Sequence, residues 1–519
     1  MSTGQTARAA ASGGTERTAA VLMACTAASR ALGFVRAAVL AAVFGAGGTV
    51  DVFTVMFQVP NTLRRLLAEG AFSAALVPAL ARDRDPRAQV ELVRSAFGLQ
   101  LAVTVPLIAV AAIAAAPITR VLVAFPEPEK MASAVGLFRL MVPYAALAGA
   151  AAVLMGALHA RNAFVVPALA PLLFSVGVIA SVLVLAPRWG ILAAAAGVLA
   201  GGVLQLLFQV PAFLHRGFSI VPRLRFDDRM RRILRGWGPA VASALVFAVM
   251  QQVSFLLASG LGDGSTSAIY YAVVFFQLPL GVLSVSVATA AFPRLAEMAA
   301  DNRTTELRRS ATDGMVTLAA LLVPAAVAYL LLGDSIVHAA LQRGLFDAEA
   351  TELTAAVLRG FAIGLPSVGV FTFLQRLCYA LDAPRRALRA AIVVAVVDVA
   401  LSLWWKETAL GVAGLALANS AAFSAGTLLL ALPSRVVAWR VLARGALQVA
   451  AGVAPAGALM WIASSRLPDP REGPAGVEHV ALLVGVVAAA ALVTIVLYRL
   501  VGLPFVRQLA LRRPEHPEP

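Results

Sequence analysis

Long apolar runs recur along the whole chain, each closed by a short polar or basic segment. A membrane-spanning helix needs about 20 mainly apolar residues. Fourteen stretches meet that need, at roughly 19–45, 50–80, 92–118, 134–158, 164–186, 190–212, 236–261, 267–293, 309–332, 352–380, 386–404, 410–432, 442–464 and 478–502. Glycine and proline are frequent inside them, as close helix packing and cavity-lining breaks require. The pattern predicts an all-α polytopic membrane protein. Residues 1–18 are polar and small, and are expected to form a disordered N-terminus; residues 503–519 are expected to be a tail. The first apolar run carries arginines and is too long for a cleaved signal peptide, so it reads as span one.

The spans repeat. Phe57-Gln58-Val59-Pro60 in span two is echoed by Phe276-Gln277-Leu278-Pro279 in span eight. His159-Ala160-Arg161-Asn162-Ala163 is echoed by Tyr379-Ala380-Leu381-Asp382-Ala383, and Gly190-Ile191-Leu192-Ala193 by Gly411-Val412-Ala413-Gly414. The offsets lie near 220 residues, or six helices. An even number keeps both copies in one orientation, related by an axis along the membrane normal. The expected organisation is a first lobe over 19–212 (spans one to six), a basic linker over 213–235, a second lobe over 236–432 (spans seven to twelve), and spans thirteen and fourteen over 433–502.

Composition agrees: 60% of residues are hydrophobic and 13% charged, about half the charged share of a soluble domain. A net charge of +15 would suit nucleic acid, but the arginines are partitioned. Alternate loops hold Arg82, Arg84 and Arg87, then Arg161, then the cluster from Arg216 to Arg235, then Arg303, Arg308, Arg385, Arg389 and Arg440. The intervening loops hold little beyond Arg120, Lys130, Arg188, Arg343, Lys406, Arg466 and Arg471. The rich side is cytoplasmic by the positive-inside rule, and both termini fall on it. Charge is thus spent on topology, and no nucleic-acid partner is expected. Cys25 and Cys378 form neither a disulfide framework nor a CxxC pattern, and the five histidines lack metal-ligand spacing. Without a P-loop or nucleophile motif the chain reads as a transporter and not an enzyme.

The candidate chemistry is buried charge. Arg30, Arg36, Arg64 and Arg65 interrupt spans one and two, and each costs about 2.5–3.5 kcal/mol at the bilayer centre unless it faces a cavity, partner or ligand. Arginine suits a pyrophosphate, because its planar fork binds two oxygens at once. Arg30 and Arg64 fall at similar depth with no acid at helical spacing, and read as ligand-facing or as paired with acids elsewhere. Arg65 is four residues from Glu69, so those two read as a structural ion pair. Asn61 shares the Arg64 face. Asp51 heads span two, where an acid also serves as a helix cap. Pro60 and Pro279 fall at matched positions and read as hinges or as packing kinks. Asp398, inside span eleven, suggests ion coupling with help from Asn419 in span twelve. Arg139, Arg359 and Arg376 lie near span ends and are expected to snorkel.

Several of these residues sit in extended motifs. Ser29-Arg30-Ala31-Leu32-Gly33-Phe34-Val35-Arg36, Gly45-Ala46-Gly47 with Asp51, Pro60-Asn61-Thr62-Leu63-Arg64-Arg65, Ala68-Glu69-Gly70-Ala71-Phe72-Ser73, Gly201-Gly202, Tyr270-Tyr271-Ala272 and Leu341-Gln342-Arg343-Gly344 strongly resemble the MurJ/MviN family of lipid II flippases over about residues 19–440. The resemblance implies the multidrug/oligosaccharidyl-lipid/polysaccharide exporter fold: two pseudo-symmetric six-helix lobes plus two C-terminal helices that form a groove for the undecaprenyl tail. It implies that Arg30, Arg36 and Arg64 line a central cavity and bind the lipid's pyrophosphate. It further implies a multi-pass protein of the bacterial inner membrane serving peptidoglycan biosynthesis, with lipid II as substrate and cell-wall synthesis proteins as partners. No cofactor is expected beyond Na+, H+ or membrane potential as a driving force. The chain departs from the family at Val273 and Val274, where an Asp-Arg pair is usual, at Ala37, usually an acid, and at Gln58, often basic. Of the family's ion-site acids only Asp398 has a match. Binding is therefore expected to rest on the first lobe. The alternatives are an exporter of another polyprenyl-pyrophosphate-linked oligosaccharide and a transport-inactive cell-wall scaffold.

Overall fold

Regular structure in the computed structural model is helical throughout the residues it describes, 3–68, 76, 80, 85–226, 228–432, 436–469 and 473–503. The first helix, α1 (Thr3–Phe44), begins well before its apolar part, Ala24–Phe44. The alanine-rich stretch expected to be disordered is thus helical from Thr3, in keeping with alanine's high helix propensity. A turn with positive φ at Gly45, Gly47 and Gly48 leads into α2 (Gly48–Ala68). Only glycine adopts such angles without strain, which explains the Gly45-Ala46-Gly47 motif.

The order continues with α3 (Pro86–Ile113), α4 (Ala115–Leu122), α5 (Pro128–Met141), α6 (Tyr144–Ala160), α7 (Val165–Trp189), α8 (Leu192–His215) and α9 (Asp228–Ala258). Then come α10 (Ser265–Pro279), a π-turn over Leu280–Ser284, α11 (Val285–Ala300), α12 (Thr304–Leu341), α13 (Ala348–Ala380), α14 (Pro384–Trp405), α15 (Gly411–Ala431), α16 (Trp439–Ser464) and α17 (Val477–Val501). Among the described residues twelve helices are long and apolar enough to cross a membrane. The other two expected spans fall on α2, interrupted by Asp51, Arg64 and Arg65, and on α9, whose apolar part is limited to Ala244–Ala258.

The chain divides into two units, Met1–Gly260 and Leu261–Pro519. In the first, α2 packs on α5 and α6, α3 on α6, α6 on α8, and α7 on α8. In the second, α10 packs on α13, α12 on α13, α13 on α15, and α14 on α15. The contacts of α2, α3, α6, α7 and α8 thus recur in α10, α12, α13, α14 and α15, whereas α1 packs on α7 and α9 stays with the first unit. The echoed turns agree: Asn162 and Asp382 have φ of 56° and 52°. Ala163 N donates to Leu158 O at 2.9 Å where Ala383 N donates to Cys378 O at 2.8 Å. The second unit starts after α9 rather than at 236, because α9 is tied to the first: Gln252 Nε2 donates to Leu122 O at 3.3 Å, and Ala124 N to Ser259 Oγ at 2.7 Å.

Pro60 sits inside a continuous α2, whereas Pro279 is followed by the π-turn. Proline has no N–H to give the carbonyl four residues back. Behind Pro279 that carbonyl, Phe275 O, accepts from Tyr329 Oη of α12 at 2.8 Å. The last two helices lie on α12: Tyr498 Oη donates to Ala320 O at 2.9 Å, and the His338 and His479 rings meet edge to face at 4.6 Å.

Candidate functional site

Two arginines on α1 take different directions. Arg30 and Arg36 are six residues apart, about 9 Å along the axis and about 120° around it on an ideal helix. Arg30 is half-buried and has interactions of its own. Arg36 reaches across to α2 and α7. Its Cζ lies 5.9 Å from the centre of the Phe57 ring and 5.3 Å from that of Phe174, within the range of a cation–π contact. Those two rings are close to parallel, 13° apart with centres separated by 6.3 Å. Phe53 extends the stack beyond Phe57 at 5.7 Å, and Tyr144 of α6 closes it behind Phe174 at 5.1 Å. Among the described residues Arg36 makes no hydrogen bond or ion pair. Its guanidinium carbon lies over both rings, and its N–H donors have no protein acceptor among the described residues.

On α2, Phe53, Phe57, Asn61 and Arg64 recur at helical spacing along one stripe. Arg64 Nε donates to Asn61 Oδ1 at 3.2 Å, as their shared face predicted. Seven residues separate Phe57, which Arg36 of α1 contacts, from Arg64, about 10 Å along α2. Asp51 is buried in the first turn, and Thr54 Oγ1 donates to its carbonyl at 3.0 Å. The expected Arg65–Glu69 pair falls outside the described residues: Glu69 is not among them, and neither is the Arg65 side chain.

Asp398 is fully buried on α14, and Ser402 is buried one turn further on. Neither carboxylate oxygen of Asp398, nor Ser402 Oγ, makes a well-formed hydrogen bond. Asn419 of α15 is the polar side chain within reach of Asp398. Arg359 is ion-paired with Asp334 of α12, an acid that spacing within one helix could not connect to it. Arg139 Nε donates to Ala112 O at 3.1 Å. Val273 and Val274 are half-buried on α10.

A cavity of about 340 Å³ lies apart from these residues, at the N-terminal end of α3, lined by Asp85, Arg87, Glu91, Ser95 and Arg225 among others. The segment after α8 straps across that end. Arg223 N donates to Arg94 O at 3.1 Å, Arg94 Nε to Val221 O at 3.0 Å, and Arg223 and Arg225 both pair with Glu91. Gly98 permits the approach: a Cβ there would sit 2.4 Å from Arg223 O.

Phe174 and Tyr144 were not anticipated from sequence. Phenylalanine in an apolar span carries no local signal, and its relation to Arg36 exists only once α1, α2 and α7 pack.

Two units of repeated helical packing, the first holding a half-buried arginine among its packed helices, define a two-lobed membrane transporter. The fold overlays a lipid II flippase MurJ in an inward closed conformation with a TM-score of 0.77, at 21% identity over 94% of this chain and 99% of that one. It overlays an inward-facing multidrug resistance MATE family transporter of the MOP superfamily at 0.66, with 16% identity over 81% and 95%. A family model described as lipid II flippase MurJ matches residues 40–468, and the chain belongs to that family. Similar proteins include the lipid II flippase MurJ of Burkholderia cenocepacia, 30% identical over 78% of this chain and 81% of that protein. The probable lipid II flippases MurJ of Borreliella burgdorferi (29%, covering 76% and 78%) and Rhizobium meliloti (31%, covering 74% of each) are others.

Proposed function

We propose that this protein moves lipid II, the undecaprenyl-pyrophosphate-linked peptidoglycan precursor, from the inner to the outer leaflet of the bacterial cytoplasmic membrane. It does so as a transporter, by alternating access, and without covalent chemistry. The observation that carries this reading is Arg36: a guanidinium over the rings of Phe57 and Phe174, with no protein acceptor for its donors among the described residues, in a chain of the MurJ family. Such a group accepts a pyrophosphate through two parallel hydrogen bonds. Arg64 and Asn61, further along the α2 stripe, and Arg30 on α1 add positive charge and donors for the rest of the head group.

Coupling to Na+ or H+ belongs to Asp398, with Asn419 and Ser402 as neighbours: a buried carboxylate without a full set of hydrogen bonds is stabilised by a cation or a proton. The helices α16 and α17 would guide the lipid tail, and the arginine partition supports cytoplasmic termini. Proteins of cell-wall synthesis are the expected partners. Export of another polyprenyl-linked oligosaccharide is not favoured, since the relatives are named for lipid II.

The test is complementation in a strain depleted of its own lipid II flippase. The wild-type gene is expected to restore growth and Arg36→Ala, at equal membrane abundance, to fail. Growth with Arg36→Ala would refute the role assigned to this arginine, and failure of the wild type would refute the substrate.

A further inference from the structure

Arg36 is long, and a free arginine side chain carries about 2 kcal/mol of rotamer entropy. A ligand that must order it binds more weakly than one that finds it ordered. The surroundings of Arg36 are built in layers. Phe174 lies under the guanidinium on α7, Phe57 beside it on α2, and Tyr144 of α6 behind Phe174. All three rings are buried. Tyr144 in turn rests on α8 at Gly202, where a Cβ would lie 2.7 Å from the tyrosine ring. Beside it Gly201 brings α8 against α7 so closely that a Cβ would lie 2.5 Å from Phe174 O. The Gly201-Gly202 motif thus seats the stack from below, although neither glycine is near the arginine in sequence.

We infer that Phe174 and Phe57, seated on Tyr144 and Gly202, are positioning residues that hold the Arg36 guanidinium by its face and so present its N–H edge to the pyrophosphate of the substrate. A ring stacked on the face competes for none of the donors. An acceptor such as a glutamate would occupy the edge that the ligand needs. The inference rests on the ligand role of Arg36 proposed above. It assigns a function to aromatic side chains that would otherwise count as lipid-embedded packing.

The experiment measures lipid II binding to the full-length protein in nanodiscs, with undecaprenyl pyrophosphate as a second probe. Phe174→Leu keeps an apolar side chain but loses the π face, and is expected to weaken binding of both probes about tenfold, between the values of an exposed and a desolvated cation–π contact. Phe174→Tyr keeps the face and should bind as wild type does. In an Arg36→Ala background Phe174→Leu should cause no further loss, because its effect passes through the arginine. Phe57→Leu, read in the same two backgrounds, repeats the test should Phe174→Leu prove unstable. Equal losses with and without Arg36 would show plain packing and overturn the inference, as would unchanged binding by Phe174→Leu when Arg36→Ala binds weakly. If Arg36→Ala itself binds normally, the ligand role of the arginine fails, and the inference with it.

Discussion

A guanidinium among hydrocarbon side chains keeps its charge, since arginine does not give up its proton in proteins. Two phenylalanine rings offset only part of its lost hydration, and the proposed pyrophosphate ligand would supply the remainder. Asp398 poses the mirror problem on α14, a buried carboxylate with incomplete hydrogen bonding. Asp398→Asn keeps the shape and removes the charge. It is expected to slow flipping and to abolish any sodium or pH dependence in a proteoliposome assay; unchanged rate and unchanged ion response would leave Asp398 a packing residue. Both positions stood out in the sequence because a charge inside an apolar run is a local contrast. What could not be read there was each charge's surroundings. Phe174 looks like any span phenylalanine, and the Arg359–Asp334 pair joins two helices that only packing brings together.

Helices and their turns show the repeat more plainly than the spans do. Asn162 and Asp382 hold matched left-handed turns after α6 and α13, closed by matched hydrogen bonds. Asparagine and aspartate tolerate these angles, whereas most side chains pay roughly 1–2 kcal/mol. Asn162→Ala and Asp382→Ala should therefore each lower stability by about 1 kcal/mol, and the double variant by the sum, as for distant sites. Denaturant unfolding in detergent measures this, and clearly unequal costs would count against equivalent turns. Span positions were legible because an apolar run of about 20 residues has few other uses. The helix that begins at Thr3, the π-turn after Pro279 and the attachment of α9 to the first unit were not. The last two depend on neighbours, as when Tyr329 of α12 donates to the Phe275 carbonyl behind Pro279.

For the molecule in its membrane, orientation is the property that decides which leaflet meets the arginine-rich loops. The arginine partition implies that the α11–α12 turn faces the cytoplasm and the α16–α17 connection faces out. Asp301→Cys and Ser465→Cys lie in these two places and are exposed, while Cys25 and Cys378 are buried. An impermeant maleimide should label Ser465→Cys on intact cells and Asp301→Cys only after lysis; the reverse pattern would sink the assignment. The strap across α3 bears on how far the parts can travel. Measured by sequence, the connection from α8 to α9 is a long leash. Measured by its fastenings it is short, for Arg223 is pinned to Arg94 and Arg225 to Glu91. From Arg225 to Asp228, where α9 begins, the chain has a reach of only about 10 Å. Any stroke that carries the start of α9 further must first unfasten the strap, so Glu91 and the notch at Gly98 set the slack in the tether.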